Sequence, residues 1–304
     1  RVGDTSDVPV AETADTTLPT IVSGALDYDT AILQITASET IDVTPDSEVT
    51  LTSFYLSDSS GERTIQLSAA VVQQIDAITF EITISEPSRV AALPISSTPG
   101  GDNTAVILDI YAGGIHDVAQ NAVQDQLGFL LAETADVTPP NIDGLALDYT
   151  NGVLVMSMSE WIPYASVDLD KLKLSDVSGG HEVPLTGGTI SAENSDVVSI
   201  TLSEQQRVDT IAISGTPGGN GGAVVLDMLA DAMYDMGAVK VLEALDNAVV
   251  ETQDSKKPVV HGCTVDYNDG TIVITTDEYT DSTDSDEIIL SRLHLSQNSG
   301  DEDI

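Results

Sequence analysis

The chain repeats itself with a period the size of a whole small domain. Glu12-Thr13-Ala14-Asp15 returns as Glu133-Thr134-Ala135-Asp136 and again as Glu251-Thr252-Gln253-Asp254. Asp27-Tyr28 returns as Asp148-Tyr149 and Asp266-Tyr267, and each pair is followed twelve residues later by a glutamate: Glu39, Glu160 and Glu278. Ser-Asp-x-Ser-Gly stands at 57–61 and 175–179, with a variant at 296–300, and Thr-Pro-Gly-Gly stands at 98–101 and 216–219. The offsets are 121 and 118 residues. Solenoid units are roughly 20–50 residues long, whereas small domains run to about 100–150. The chain therefore reads as a tandem array of similar domains.

The register of the repeat sets expected boundaries. Residues 1–15 match the last strand of a preceding or partner repeat, 16–136 form repeat 1, 137–254 form repeat 2, and 255–304 match the first half of repeat 3. The two ends together supply about half a unit, so they do not join into one domain. The plainer expectation is a window on a longer protein. The sharper one is that one subunit's terminal strand completes a neighbour's domain, as in donor-strand complementation.

Charge narrows the partners. Fifty acidic residues face ten basic ones, a formal net charge of −40. Such a surface repels nucleic acid and anionic membranes, which are bound through Lys/Arg patches. It attracts counter-ions, divalent cations among them. With 41% hydrophobic residues and a mean hydropathy of +0.07, the chain still has enough apolar material to build cores. No run of 18 apolar residues occurs, so no membrane insertion is expected in this segment. The single cysteine, Cys263, lies beside apolar positions and is expected to be a small buried hydrophobe. None of the nine asparagines carries Ser or Thr two positions on, which excludes N-linked sugar. Thr16, Thr17 and Thr138 are O-linked candidates, and Ser59-Ser60 and Ser96-Ser97-Thr98 are further hydroxyl clusters. Ordinary turn and strand chemistry is the competing explanation for all of them.

Repeat 2 shows the pattern of one unit. Thr138-Pro139-Pro140 makes a stiff extended entry. Strands are expected over 142–147 and 153–159, joined by an Asn151-Gly152 turn, with Leu154, Met156 and Met158 on one face. Short strands follow at 172–175, 183–186 (Pro184 marking an edge), 197–202, 223–229 and near Glu251. Ser203 with Gln206 three later is a capping-box pattern, so one or two helical turns are expected there; Ser85-Glu86-Pro87-Ser88-Arg89-Val90 is the counterpart in repeat 1. Seven or so short strands with little helix read as an all-β, Ig-like antiparallel β-sandwich, repeated in a linear array.

Leu185-Thr186-Gly187-Gly188-Thr189-Ile190-Ser191, the strand from Val198 to Ser203, and the Ser38-Glu39 and Ser159-Glu160 strand ends resemble bacterial-type Ig-like (SbsA-like) repeats of large surface proteins. Asp117-Val118-Ala119-Gln120-Asn121 approximates the Asp-x-Ala-Gly-Asn turn that closes such domains, and Asp235-Met236-Gly237-Ala238 does so less well. The resemblance implies tandem extracellular Ig-like domains of S-layers, adhesins or fibrils, and names no ligand.

Catalytic patterns are absent. His116, His181, His261 and His294 recur at no equivalent place and have no partner at metal-ligand spacing. There is no Gly-x-Ser-x-Gly elbow and no P-loop. Paired carboxylates are too abundant to single out a glycosidase site. No enzymatic activity is expected. The recurring polar set is acidic: Asp15, Asp136 and Asp254 at the junctions, Asp27, Asp148 and Asp266 ending a first strand, Glu39, Glu160 and Glu278 ending a second. These nine are candidate Ca²⁺ ligands that would stiffen the hinges; no cofactor is required, and the alternative is turn capping. The expected function is structural: a protomer or segment of a surface fibre that associates with itself or with neighbouring repeats, with strand exchange as one route of assembly. The runner-up is a cell-surface adhesin or carbohydrate-binding stalk, with the sole tryptophan, Trp161, as its candidate contact.

Overall fold

The computed structural model describes residues 10–45, 48–61, 64–67, 70–177, 179–280 and 288–296. The first nine residues of the leading segment, and 297–300 of the third Ser-x-x-Ser-Gly variant, lie outside them.

Alternation of apolar and polar residues gives short strands whose apolar faces close two sandwiches. In the first, β1 (Ile21–Asp27), β2 (Ile32–Ala37), β3 (Ile41–Asp42), β4 (Phe54–Ser57), β5 (Thr64–Gln66), β6 (Val71–Gln74) and β7 (Thr79–Thr83) lead into helix α1 (Glu86–Ala92). β8 (Ile107–Ile110), β9 (His116–Asp117), β10 (Gln126–Leu130) and β11 (Ala132–Thr134) follow. Sheet order β11-β1-β2-β7-β6 faces β10-β8-β4-β5, while β3 and β9 pair alone. The second sandwich repeats the plan: β12 (Ile142–Asp148), β13 (Val153–Ile162), β14 (Leu172–Asp176), β15 (Glu182–Pro184), β16 (Thr189–Ile190), β17 (Ser195–Thr201), helix α2 (Glu204–Ala212), β18 (Val224–Met228), β19 (Ala244–Ala248) and β20 (Val250–Thr252). Its sheets run β16-β17-β13-β12-β20 and β15-β14-β18-β19. The hairpin β21 (Val260–Asp266) and β22 (Thr271–Thr276) ends the series.

The fold is all-β with two short α-helices among the described residues, as the alternation predicts. Leu154, Met156 and Met158 share the buried face of β13, and Pro184 lies on edge strand β15. Ser203 and Gln206 form the reciprocal capping box that opens α2. Among the described residues repeat 2 holds nine strands rather than about seven, because the short β16 adds one and the return to Glu251 splits into β19 and β20. One pairing departs from an antiparallel plan. The last strand of each sandwich runs parallel to the first: Leu26 opposes Glu133, and Leu147 opposes Glu251. A parallel last strand leaves the domain at the end where β1 finishes, and this carries the chain straight to the next repeat.

Each sandwich has its own core. One gathers Leu26, Leu33, Phe54, Phe80, Leu93 and Leu108 among others; the other gathers Leu147, Leu154, Met156, Leu174, Ile200 and Leu226. The hairpin of the third repeat has no facing sheet among the described residues. This overturns the expectation for Cys263, which is exposed, whereas Leu145, at the same place in repeat 2, is buried.

Thr-Pro-Gly-Gly is more than a turn. A Cβ on Gly101 would fall 2.1 Å from the carbonyl oxygen of Ser96, and one on Gly219 would fall 2.2 Å from that of Ser214. Backbone is packed on backbone there, so no flexible atom can give way. Gly101→Ala is expected to cost roughly 1–3 kcal/mol by overpacking, measured by urea denaturation. Gly113→Ala has open space around its Cβ, but its φ of +79° makes it a control for strain alone.

Candidate functional site

The recurring motifs meet at the ends of the sandwiches. Tyr28 and Tyr149 are fully buried. Tyr28 Oη donates to Glu133 Oε1 at 2.9 Å, and Tyr149 Oη to Glu251 Oε1 at 2.6 Å. The other oxygen of each glutamate accepts backbone N–H groups beside the Thr-Pro-Gly-Gly loop, from Ser97 and Val106 or from Gly215 and Val224. The Asp of each Asp-Tyr folds back on its own turn: Asp27 Oδ1 accepts from Asp29 N, Asp148 from Thr150 N, and Asp266 from Asn268 N. Ser38 and Ser159 pin the entry to their repeats by accepting from Thr20 N and Asn141 N, and Asp277 does the same for Val259 N. Glu-Thr-x-Asp, Asp-Tyr and Ser-Glu are therefore parts of one construction at the domain boundary.

An arginine fastens that construction to the next repeat. One helical turn sets Arg89 beside Glu86, whose oxygens take Nε at 2.6 Å and Nη2 at 2.8 Å. The remaining donors face away from α1. Nη1 reaches Tyr28 O at 3.2 Å and Asp136 Oδ2 in the linker at 2.6 Å, and Nη2 reaches Glu160 Oε2 of repeat 2 at 2.8 Å. Arg89 is 4% exposed. Burial pulls its pKa down, but Glu86, Asp136 and Glu160 together push it higher still, so it stays cationic. Around it the fit is close. Met236 of repeat 2 packs on the core of repeat 1. A Cβ on Gly100 would strike Met236 O at 2.4 Å, and one on Gly237 would strike Asp136 Cβ at 2.9 Å.

The same device recurs at the next junction. Arg207 pairs with Glu204 at 2.7 Å and with Asp254 at 2.6 Å, donates to Tyr149 O at 3.1 Å, and stands 3.7 Å from Glu278. Lys256 adds a second cation, 3.1 Å from Glu278.

Of the nine carboxylates singled out in the sequence, the structure groups Asp136 with Glu160 and Asp15 with Glu39. It adds a third member to each group: Asp235 to the first, Asp117 to the second. In each group the ligand oxygens lie within 4.8 Å of one another. Asp254 and Glu278 meet around Arg207. Asp27, Asp148 and Asp266 stand apart, engaged in their turns. Asp117, Asp235, Arg89 and Arg207 were not singled out as site residues. Their signal was the same 118-residue offset, carried within the helix-cap and turn motifs. Thr16, Thr17 and Thr138 are exposed, but Ser96 and Thr98 are buried and hydrogen-bonded to each other. Trp161 is half-buried, and its carbonyl accepts from Met236 N; it is not displayed as a platform.

The group at the first junction is crowded. Burial, then Asp136, pushes Glu160 up to about 7 against the pull of Arg89. Burial, opposed by the Val239 N–H and aided by Asp136, pushes Asp235 up to about 6. Asp235 is fully buried and its Oδ2 has no hydrogen-bond partner. Carboxyls whose folded pKa is raised hold protons more tightly in the folded state. Their stabilisation is complete below the ordinary carboxylate range of about 4 and is lost as pH rises through the folded values of about 6 and 7. Glu160→Gln keeps an acceptor for Arg89 and removes the titration. The parent protein should lose stability relative to Glu160→Gln as pH rises from 4 to 8, in melting curves of the two proteins; parallel profiles would refute this.

No family profile matches the chain, and no curated protein matches it. Among solved structures it is similar to the N-terminal part of the bacterial S-layer protein SbsC, at 9% identity and a TM-score of 0.28, over 62% of this chain and 44% of that one. It is also similar to S-layer protein rSbsC(31-844), at 11% identity and a TM-score of 0.29, over 86% of this chain and 32% of that one. Titin A168–A169 gives 9% identity and a TM-score of 0.28, over 78% of this chain and all of that one. The chain thus spans less than half the length of the S-layer structures it matches. Likeness at this level carries no functional argument.

Proposed function

We propose that the chain is a structural extracellular protein, a segment or protomer of a surface fibre in which Ig-like repeats over 16–136, 137–254 and from 255 onward supply length and fixed spacing. The observation that carries this reading is Arg89. One buried guanidinium ties the helix of repeat 1, the linker and a strand of repeat 2. A hinge built to bend would not commit a buried charge to both sides, since opening it strands carboxylates. The work of the molecule is mechanical. Each sandwich buries its own core, each junction resists bending, and the negative surface keeps neighbours apart unless cations bridge them. Small-angle scattering of the full chain should give a rod with one dominant distance between repeats 1 and 2. A broad distribution of that distance would overturn the reading.

Calcium belongs to the same proposal. Asp136, Glu160 and Asp235 offer three carboxylates, with one oxygen of Asp235 unused, and hard oxygen donors suit Ca²⁺. Calcium would replace the protons that Glu160 and Asp235 hold at lower pH. The melting temperature at pH 8 is expected to rise with added Ca²⁺ and to return with EDTA; ligand at about 100 times its Kd contributes roughly 2.7 kcal/mol. A curve unmoved by both additions removes calcium and leaves the arginine lock standing.

A further inference from the structure

The front face of repeat 1 carries the acidic half of a junction. Asp15, Glu39 and Asp117 stand where Asp136, Glu160 and Asp235 stand one repeat later, and their ligand oxygens likewise lie within 4.8 Å of one another. At the later position Arg89 fills the gap, and at the one after it Arg207 does. No cation pairs with Asp15, Glu39 or Asp117 among the described residues, apart from the neighbouring His116 that acts on Asp117. Asp117 is satisfied by Asn121, which donates at 2.8 Å to each of its oxygens. Glu39 is not: its Oε1 is buried and has no hydrogen-bond partner. Burial, then Asp117 and Asp15, raises its pKa.

A second, separate observation lies just upstream. Val10 occupies the place of Leu131 and Val249 in the repeat. Those two are buried core residues at 5% and 8% exposure, whereas Val10 is 80% exposed. Ala11-Glu12-Thr13 occupies the place of β11, which pairs in parallel with β1, yet all three residues are exposed and lie outside any strand. An apolar residue and a strand sequence stand free beside an acidic socket that lacks its arginine.

We infer that this face receives another Ig-like repeat of the same kind, docked end to end, whose helix delivers a Glu-x-x-Arg arginine to Asp15, Glu39 and Asp117 and whose first strand takes Val10–Thr13 as its parallel last strand. In that pairing Glu12 accepts the hydroxyl of the docked repeat's Asp-Tyr tyrosine, as Glu133 does for Tyr28. Val10 enters its core, as Leu131 does. The recognition is strand addition registered by a charge-assisted fork. It rests on the array reading and specifies what a repeat must carry to join the array.

The test extends the full chain. A second copy of residues 16–130 is joined ahead of Val10, which supplies a complete sandwich and its own helix arginine. Hydrogen exchange at Glu12 and Thr13 is expected to slow by about tenfold or more. The Glu39 carboxyl, followed by NMR, is expected to titrate higher than in the unextended chain, because docking buries it as Glu160 is buried, whose pKa stands at about 7 with Arg89 in place. Glu39→Met supplies a sign test that does not depend on how well the added repeat folds in isolation. In the unextended chain it removes repulsion and should raise the melting temperature of repeat 1; in the extended chain it removes an arginine partner and should lower it. The same sign in both chains, or unchanged exchange at Glu12 and Thr13, overturns the inference. Scattering from the unextended chain reports separately on the junction between repeats 1 and 2, so a failed array reading is distinguished from a failed docking site.

Discussion

Arg89→Met should destabilise the protein by about 3–5 kcal/mol, the range for removing one partner of a buried charged group. The deleted guanidinium is 4% exposed, and its loss strands three carboxylates at once: Glu86, Asp136 and Glu160. Asp136 is itself buried, as is the neighbouring Asp235. The backbone oxygen of Tyr28 loses a donor as well. Lysine should not rescue, because a single ammonium cannot bridge Glu86, Asp136 and Glu160 with fixed geometry. Neutralising the socket should: Glu160→Gln in the Arg89→Met background is expected to recover part of the loss, more at pH 8 than at pH 5, since low pH already protonates Glu160. Arg207→Met should cost less, because Asp254 is partly exposed, Glu278 lies 3.7 Å away, and Lys256 remains to neutralise Glu278. Urea denaturation of the four variants decides. An Arg89→Met protein within about 0.5 kcal/mol of its parent, the range of an ordinary surface change, would end the idea that this network holds the junction.

The period, the β-class and the acidic junctions were legible in the sequence because each rests on local spacing. Leu154, Met156 and Met158 alternate within one strand, and Ser203 with Gln206 caps one turn. The three-body groupings were not legible. Asp136, Glu160 and Asp235 come from a linker, a strand and a loop, brought together only when β11 leaves its sheet parallel to β1. Nothing in the spacing of Glu133 and Leu26 says that they pair in parallel, and an Ig-like reading favours antiparallel neighbours. Arg89 and Arg207 were visible, but as members of a helix start. In a chain with ten basic residues, an arginine that recurs at the repeat interval was a charge signal set among capping residues. Cys263 shows the reverse error. Its apolar neighbours argued for burial, but burial needs a second sheet, and none covers β21 and β22 among the described residues.

Phe54→Ala should cost about 3–5 kcal/mol, the range for deleting a large buried aromatic side chain, and should do so in repeat 1 alone. Phe54 is fully buried between the sheets of the first sandwich, on β4 paired with β8. The second sandwich assembles its core from a separate set of side chains. Between them the apolar contact narrows to Met236, which packs on the first core from the loop of repeat 2. The chain contains a natural reporter for this separation. Its single tryptophan, Trp161, lies on β13 of repeat 2, so fluorescence follows the second sandwich while far-UV circular dichroism follows both. In Phe54→Ala the dichroism should gain an early step, and the tryptophan transition should stay near its parent midpoint. The reciprocal change, Leu174→Ala in the second core, should move the tryptophan transition and leave a later step in the dichroism. If Phe54→Ala shifted both signals together by the same amount, the two sandwiches would unfold as one cooperative body. The junction at Arg89 and Met236 would then couple the two sandwiches as firmly as either core holds itself together.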